Sequence, residues 1–518
     1  MSMPGTSYPK ALALPPSRTV AVIGSGAMGA GIAQVAAAAG YTVQLFDTRP
    51  EAVAKAIADI GGMFDKLAGK GRMTTDEARA AASRLRPAAE LSALAEAGLV
   101  VEAIVENLDV KRKLFADLEA VVADDCIFAS NTSSISITSI GAALRLPQRL
   151  VGMHFFNPVP LMALVEIISG LASDATVAAC VYDTALAWGK SPVHTKSTPG
   201  FIVNRVARPY YAEALRILNE QAAEPATIDA ILREAGGFRM GPFELMDLIG
   251  HDVNFAVTQS VFNAYFTDPR FTPSLIQQEL VNAGFLGRKS GRGFYLYGDA
   301  AAMPAPATEA AAALLSAVVQ LYGTGPLTEA LAARLSGISV ERVIVPGADN
   351  LVLQCGSARA YLTDGRSATQ RASDNRHPDT VLIDLALDFN KATRIAVSRA
   401  DQCSKAAGDA IVALLQAAGF AVSRLDDVPG MAVMRTVAML ANEAADTVNQ
   451  GVCSAADADM AMQKGVNYPR GPLAWADAIG LETIADVLSH LANAYGEDRY
   501  RVSPLIMRKT AAGGRFHG

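Results

Sequence analysis

The chain has 518 residues and a mass of 54.2 kDa, room for about three to five domains of ordinary size. Hydrophobic residues make up 51% and charged residues 19%, which excludes a disordered chain. Lys plus Arg number 45 and Asp plus Glu 51, a net charge of −6. That balance leaves no basic excess for nucleic acid and no Lys/Arg block for a membrane surface.

The N-terminus, MSMPGTSYPKALALPPSRTVAVIG, lacks a basic region followed by a long apolar stretch, so no secretory signal is read. Pro4, Pro9, Pro15 and Pro16 make residues 1–17 a poor helix or strand, and a mobile arm is expected there. No later stretch of about 20 strongly apolar residues suits a membrane span. Cys126, Cys180, Cys355, Cys403 and Cys453 form no disulfide or zinc pattern and fit a reducing cytosol. A soluble, cytoplasmic protein is expected.

Thr19–Ile23 (TVAVI) reads as a buried strand, followed by Gly24-Ser25-Gly26-Ala27-Met28-Gly29, a G-x-G-x-x-G. Good helix formers continue to Ala39, and Gly40 ends them. Tyr41–Phe46 is a second strand, with Asp47 at its end. Strand, glycine turn, helix, strand and acid together make the dinucleotide-binding unit. Gly24 permits the turn, Gly26 lets a pyrophosphate approach the backbone, and Gly29 lets the helix pack on the strand. The helix N-terminus offers unpaired N–H groups. Asp47 can accept from both ribose hydroxyls and repels a 2′-phosphate, which favours NAD over NADP; Arg49 works slightly against that.

Further strands are expected at 99–105, 126–129 and 150–155, with a helix over 109–122. In an open parallel sheet the loops leaving the strand carboxyl ends gather along one edge. Glu106 and Asn107, then residues 130–134 (SNTSS), then His154 and Asn157 leave successive strands there. His is the side chain suited to a proton shuttle near neutral pH. Glu166 sits in an apolar, strand-like run (LVEII) and is costly to bury unpaired. Paired with His154, it would fix the imidazole tautomer and favour the protonated ring. Ser133 can bond a substrate oxygen.

SNTSSISITSI (130–140), GMHFFNPVPLMALVEII (152–168), TPGFIVNR (198–205) and GPFELMDLIG (241–250) strongly resemble the L-3-hydroxyacyl-CoA dehydrogenases over about residues 18–297. The resemblance implies His154 as general acid/base, Glu166 as its partner, and Ser133 on the substrate oxygen. It implies Asn157 and Asn204 as polar groups near the reacting carbons or the thioester. Gly24, Gly26, Met28, Gly29, Asp47, Glu106 and Lys111 fall at cofactor-binding positions, with NAD as cofactor. The CoA moiety falls to Ser133, Asn157 and either Lys66 or Lys70. The expected fold is an α/β Rossmann-type NAD-binding domain followed by an all-α domain, then a degenerate second copy made of a small α/β part and an all-α part. No metal, nucleic acid or membrane partner is expected, and no hydratase-like segment suggests a second activity.

The second copy appears on a shift of 230 residues. Pro199-Gly200 falls on Pro429-Gly430, Arg205 on Arg435, Glu213 on Glu443, Asp229 on Asp459, and GPFELMDLIG on GPLAWADAIG. His154 falls on Asp384, Glu166 on Ala396 and Asn204 on Met434, so the second half reads as a non-catalytic duplicate. The boundaries read from this are an arm (1–17), a nucleotide domain (18–197), a helical domain (198–297) and an Ala/Pro-rich linker running into a helix (298–326). A degenerate α/β domain (327–428), with strands at 351–354, 380–383 and 394–397, and a second helical domain (429–518) complete the chain. The protein is then either a homo-oligomer or a monomer in which the second helical domain stands in for a dimer partner.

The long form resembles bacterial enzymes of aromatic breakdown that oxidise 3-hydroxyadipyl-CoA, as well as 3-hydroxybutyryl-CoA dehydrogenases. The reactions implied belong to fatty-acid or phenylacetate degradation. A dicarboxylic substrate needs a cation near its far end, and Arg205, Arg208 and Arg239 are candidates. Two other readings are a non-catalytic structural protein derived from this family and a β-hydroxyacid dehydrogenase, which would use a catalytic lysine.

Overall fold

Alternating short apolar runs and alanine-rich helices build a layered sheet at the start of the chain. A computed structural model describes residues 12–298, 301–312, 319–337, 340–343 and 350–518. The chain divides into two units, the first running to Arg205 and adding Gln450–Val466, the second taking Val206–Asn449 and Asn467–Gly518.

The first unit carries eight strands among its described residues: β1 (Thr19–Ile23), β2 (Val43–Phe46), β3 (Leu85–Pro87), β4 (Ala97–Glu102), β5 (Ile127–Ser130), β6 (Leu150–Phe155), β7 (Leu164–Ser169) and β8 (Ser191–Lys196). Their order is β3-β2-β1-β4-β5-β6-β7-β8. All neighbours are parallel except β6 and β7. The helices are α1 (Ala27–Ala38), α2 (Pro50–Gly69), α3 (Thr75–Ser83), α4 (Leu108–Glu119), α5 (Ile137–Gly141), α6 (Ala175–Ala187) and α7 (Val203–Val206). Alternate residues of β1 serve two cores, as strand geometry requires. Val20 and Val22 join Ile32, Val53 and Phe64 on one face. Ala21 and Ile23 join Phe115 and Phe128 on the other. The strands are thus covered on both sides, which explains their near-continuous apolar sequences.

A late segment completes this unit. Helix α17 (Ala455–Gly465) packs on β7 and β8. Lys196 N donates to Val452 O (2.9 Å), and Arg205 Nη1 donates to Gln450 Oε1 (2.9 Å). A Cβ on Gly465 would lie 2.5 Å from Leu164 Cδ2 and 3.1 Å from Val203 Cγ2, so glycine permits the close approach.

The second unit combines a small sheet with helices. Strands β9 (Val319–Tyr322), β10 (Val340–Val343), β11 (Leu351–Cys355), β12 (Ala358–Leu362), β13 (Thr380–Ile383), β14 (Arg394–Arg399) and β15 (Ala421–Arg424) run in the order β10-β9-β11-β12-β13-β14-β15. Helices α13 (Pro326–Arg334), α14 (Ala368–Asp374) and α15 (Lys405–Ala417) accompany them. The first helical copy gives α8 (Arg208–Asn219), α9 (Pro225–Glu234), α10 (Pro242–Ile249), α11 (His251–Ala264) and α12 (Leu275–Asn282). The second gives α16 (Val433–Asn449), α18 (Pro472–Ile479), α19 (Leu481–Tyr495) and α20 (Pro504–Ala511). α8 packs on α16, and buried ion pairs join the copies: Arg435 Nε to Glu213 (2.7 Å) and Arg270 to Glu443 (3.2 Å).

The structure departs from the expected boundaries at four places. Residues 1–11 lie outside those described, but the expected arm is anchored at Leu14, which is buried, with its N–H donating to Thr184 Oγ1 and its carbonyl accepting from Tyr41 Oη. The expected linker is shorter, since β9 begins at Val319. Residues 301–312 hold no helix but run along the small domain, with Glu309 N donating to Val422 O and Ala312 N to Gln416 Oε1; residues 299–300 and 313–318 lie outside those described. The strand expected at 99–105 occupies Ala97–Glu102, because the chain leaves the sheet after Glu102. The second helical domain is not one body, because residues 450–466 group with the nucleotide sheet.

Candidate active site

The pairing of β6 with β7 creates the central feature. His154 and Glu166 are direct partners in this antiparallel register, so their side chains leave the same face. His154 Nδ1 donates to Glu166 Oε2 at 2.7 Å. The other carboxylate oxygen accepts from Ile202 N (2.9 Å) and Val203 N (3.0 Å), the amides opening α7. Glu166 is fully buried and His154 is 6% exposed. A buried carboxylate needs such partners to stay charged. The imidazole also packs against Phe156 and Phe201, with ring centroids 4.6 and 5.8 Å away. Its Nε2 has no partner among the described residues and is the nitrogen left for chemistry.

A second acidic cluster organises the SNTSS loop. Glu106 Oε1 accepts from Thr132 Oγ1 (2.6 Å), Ser133 N (3.0 Å), Ser134 N (3.2 Å) and Ser134 Oγ (3.0 Å). Burial opposes the charge of Glu106, but the Thr132 hydroxyl and the Lys111 ammonium outweigh it and hold the carboxyl below its ordinary range. Ser133 is exposed, its hydroxyl 3.4 Å from Glu106. Lys111 differs from expectation. Its ammonium is buried on Glu102 Oε1 (2.5 Å) and 3.3 Å from Glu106, so it presents no surface to a cofactor and instead holds two carboxylates in place.

Glu102, fully buried, is the residue the sequence reading passed over. It accepts from Lys111, Ile104 N (2.8 Å) and Ser130 Oγ (2.6 Å), tying β4 to β5. The signal was available: an acid inside the apolar run LVVEAIV is as costly unpaired as Glu166. The Ile202 and Val203 amides and the segment 450–466 carried no such local signal.

The glycine turn fits a dinucleotide. Gly24 has φ +102°, and a Cβ there would lie 2.4 Å from Ala103 O. A Cβ on Gly29 would meet Gly24 O at 1.9 Å, whereas one on Gly26, the N-cap of α1, would meet nothing within 4 Å. The crowded glycines close the turn, and the open one leaves room beside the helix N-terminus for a pyrophosphate. Met28 lies in the first turn of α1, half-buried. Asp47 Oδ2 accepts from Ser25 N (2.9 Å) and Ser25 Oγ (2.8 Å), and Oδ1 from Arg49 N (3.1 Å). Burial opposes ionisation of Asp47, yet the Ser25 bonds outweigh it and keep the carboxyl below its usual range. The charge that would exclude a 2′-phosphate is therefore secured.

Asn204 lies half-buried in α7, directly after the two amides that hold Glu166, and its side chain has no partner among the described residues. Asn157 is exposed just beyond β6. Lys66 and Lys70 are both exposed at the end of α2. The two lysines buried among the first unit's described residues are occupied, Lys111 by Glu102 and Lys190 by the carbonyls of Val159 and Met162. Neither is available to a lysine-based mechanism. No group of His, Cys, Asp and Glu among the described residues could hold a metal ion.

Known proteins match this architecture throughout. The family described as 3-hydroxyacyl-CoA dehydrogenase, NAD binding domain, matches residues 19–198, and its C-terminal domain matches twice, at 200–297 and 430–517. A 3-hydroxybutyryl-CoA dehydrogenase reduced Rossmann-fold domain matches 360–429. The 3-hydroxyadipyl-CoA dehydrogenase of Escherichia coli (strain K12) is 45% identical over 95% of this chain and 97% of its own length. A probable 3-hydroxybutyryl-CoA dehydrogenase of Deinococcus radiodurans is 42% identical over 53% of this chain and 99% of its own. The crystal structure of a 3-hydroxybutyryl-CoA dehydrogenase from Escherichia coli K12 superimposes with a TM-score of 0.87 at 43% identity, covering 96% of this chain and 98% of that one. With matched domains along most of its length and relatives of the same layout, the chain belongs to the 3-hydroxyacyl-CoA dehydrogenase family and is an NAD-dependent oxidoreductase.

Proposed function

We propose that His154 is the acid/base of this reaction and Glu166 its partner, the supporting observation being the buried pair with Nε2 left open. NAD, when bound, supplies the ring that accepts hydride from C3 of the L-3-hydroxyacyl-CoA. His154 Nε2 takes the proton of the C3 hydroxyl as the C–H bond is lost, giving the 3-oxoacyl-CoA. Glu166, held by the Ile202 and Val203 amides, keeps Nδ1 protonated and stabilises the imidazolium that forms. Ser133 holds the C3 oxygen. Asn204 and Asn157 orient the thioester end. Gly24, Gly26, Met28, Gly29, Asp47 and Glu106 serve the cofactor, and Lys66 and Lys70 offer charge to the CoA phosphates.

The substrate reading follows relatives that span the whole chain. One is named for 3-hydroxyadipyl-CoA and one for 3-hydroxybutyryl-CoA. Both fit degradation of fatty acids or of aromatic compounds such as phenylacetate. The five cysteines are unpaired, which supports a cytoplasmic setting. The buried ion pairs between the helical copies support one chain taking the place of two subunits.

The test is NADH absorbance with 3-hydroxyacyl-CoA, or its loss with acetoacetyl-CoA. His154→Gln is expected to keep NAD affinity and lose about 10²–10⁴-fold in kcat. Unchanged turnover would defeat the assignment.

A further inference from the structure

The second unit holds a cavity of about 340 Å³ whose wall carries four arginines, Arg208, Arg216, Arg270 and Arg499. Of the three arginines singled out in the sequence, Arg239 is exposed and Arg205 is bonded to Gln450, so Arg208 alone belongs to this cluster. In all four, Nε is buried and has no hydrogen-bond partner among the described residues. Buried N–H groups are ordinarily paired, and four unpaired ones around a single space call for an acceptor inside it.

Three of the four already have anions beside them. Arg216 pairs with Glu220 and Glu497, Arg270 with Glu443 (3.2 Å) and Asp446, and Arg499 with Glu213 (3.8 Å). Glu220 stands 3.6 Å from Arg216 Nε and Glu497 3.9 Å from Arg499 Nε, beyond hydrogen-bond reach. Glu220 also lines the cavity, but its carboxylate is engaged by Arg435 Nη1 (3.2 Å) and Tyr495 Oη (2.9 Å).

Arg208 differs. It opens α8 and is only 5% exposed, with Nη1 donating to Thr258 Oγ1 (3.1 Å) and its guanidinium 4.9 Å from the Tyr211 ring centroid. No carboxylate among the described residues pairs with it, and burial accordingly lowers its affinity for the proton. A cation buried in this way is costly until an anion completes it. Thr258 and Tyr211 line the same cavity, so the guanidinium is fixed at its wall.

We propose that this cavity is a binding site for a small oxyanion, a carboxylate or a phosphate, which the Arg208 guanidinium takes in paired bonds. Asn219 and Ser274, on the same wall, offer uncharged polar groups to the remainder of the molecule. Arg208 comes from the first helical copy and Arg499 from the second, so an occupant sits against a wall built by both and stabilises the unit they form. The site is separate from the redox reaction and makes no use of His154.

The experiment follows thermal melts of the full chain, without NAD or acyl-CoA, in about 20 mM succinate or inorganic phosphate against sodium chloride of equal ionic strength. At least one of the two anions is expected to raise the midpoint by about 2–4 °C, as a ligand well above its Kd does. A rise with succinate alone identifies a carboxylate ligand, and a rise with phosphate alone a phosphate ligand. Arg208→Met should abolish the rise. If that variant fails to fold, Thr258→Val, which removes the hydroxyl that aims the guanidinium, should weaken the affinity for the same anion about fivefold by calorimetry. The proposal is overturned if neither anion exceeds chloride, if Arg208→Met keeps the full rise, or if Thr258→Val binds as the wild type does.

Discussion

Placed 230 residues apart, the two halves use one framework for different ends. In the first, Glu166 on β7 accepts from the amides of Ile202 and Val203, and His154 on β6 leans on the other side of that carboxylate. In the second, the amides at the matching places, Ala432 and Val433 with Met434, donate to Asp384, which stands where His154 does. Ala396 replaces the glutamate. The start of a helix at this point requires a buried acceptor in both halves, and the degenerate half supplies it from the neighbouring strand. The comparison separates two duties of Glu166, closing a helix terminus and serving an imidazole, of which only the first survives in the copy.

The halves also exchange covers. In the second unit α9, from the first copy, packs on β14, with Asp426 N donating to Ala222 O (3.0 Å) and Leu387 N to Ala235 O (2.9 Å). In the first unit the matching α17, from the second copy, packs on β7, and Lys196 N donates to Val452 O. The second half therefore contributes directly to the sheet that carries His154 and Glu166.

The sharpest way to break this comparison is to change the two carboxylates. Glu166→Gln should lower kcat about 100-fold, whereas Asp384→Asn should leave kcat within about twofold and lower stability by about 2 kcal/mol, through amides left without an acceptor. Steady-state kinetics and urea melts on both variants check this. The next effect concerns the covers. Gly465→Val would force Leu164 and Val203 apart and disturb the amide on Glu166, lowering kcat about tenfold with the KM for NAD unchanged. Ala235→Val, at the matching place under β14, should cost stability with no change in kcat. Equal kinetics for the pair would reduce α17 to packing.

A smaller effect is linked to pH. Burial raises Asp384 to about 6, against its four amide donors, and raises Asp229 to about 7, against the Tyr295 hydroxyl and the Phe243 and Glu244 amides. Both values lie above the ordinary 3.8 of the unfolded chain. The folded state therefore holds more protons, and stability from these groups is complete below 3.8 and lost as pH rises through 6 and 7. The urea midpoint should fall between about pH 4 and 7, and Asp384→Asn should flatten part of that slope. The smallest effect expected is at the N-cap of α3, where Thr74 and Glu77 form a reciprocal pair; Thr74→Ala should cost about 1 kcal/mol in the same melts.

Much of the first half was legible because its signals are local. β1, β6 and β13 fall where apolar runs placed them, and the glycine turn, Asp47 and the acid in LVEII each follow from a few adjacent residues. His154 and Glu166 could be paired from sequence because a buried acid requires a partner. β3, β9, β10 and β12 were missed because they are short and carry charged or half-exposed residues that blur the alternation. The burial of Lys111 and the docking of residues 450–466 depend on contacts made far along the chain, where no periodicity reports them.

The cover formed by α17 also affects the order of events during synthesis. The sheet bearing His154 is translated first, yet its last layer comes from residues ending at Val466. One side of β7 therefore lacks its helical cover until residues 450–466 have left the ribosome, and a nascent chain stopped before them would hold His154 and Glu166 without the wall that packs against their sheet.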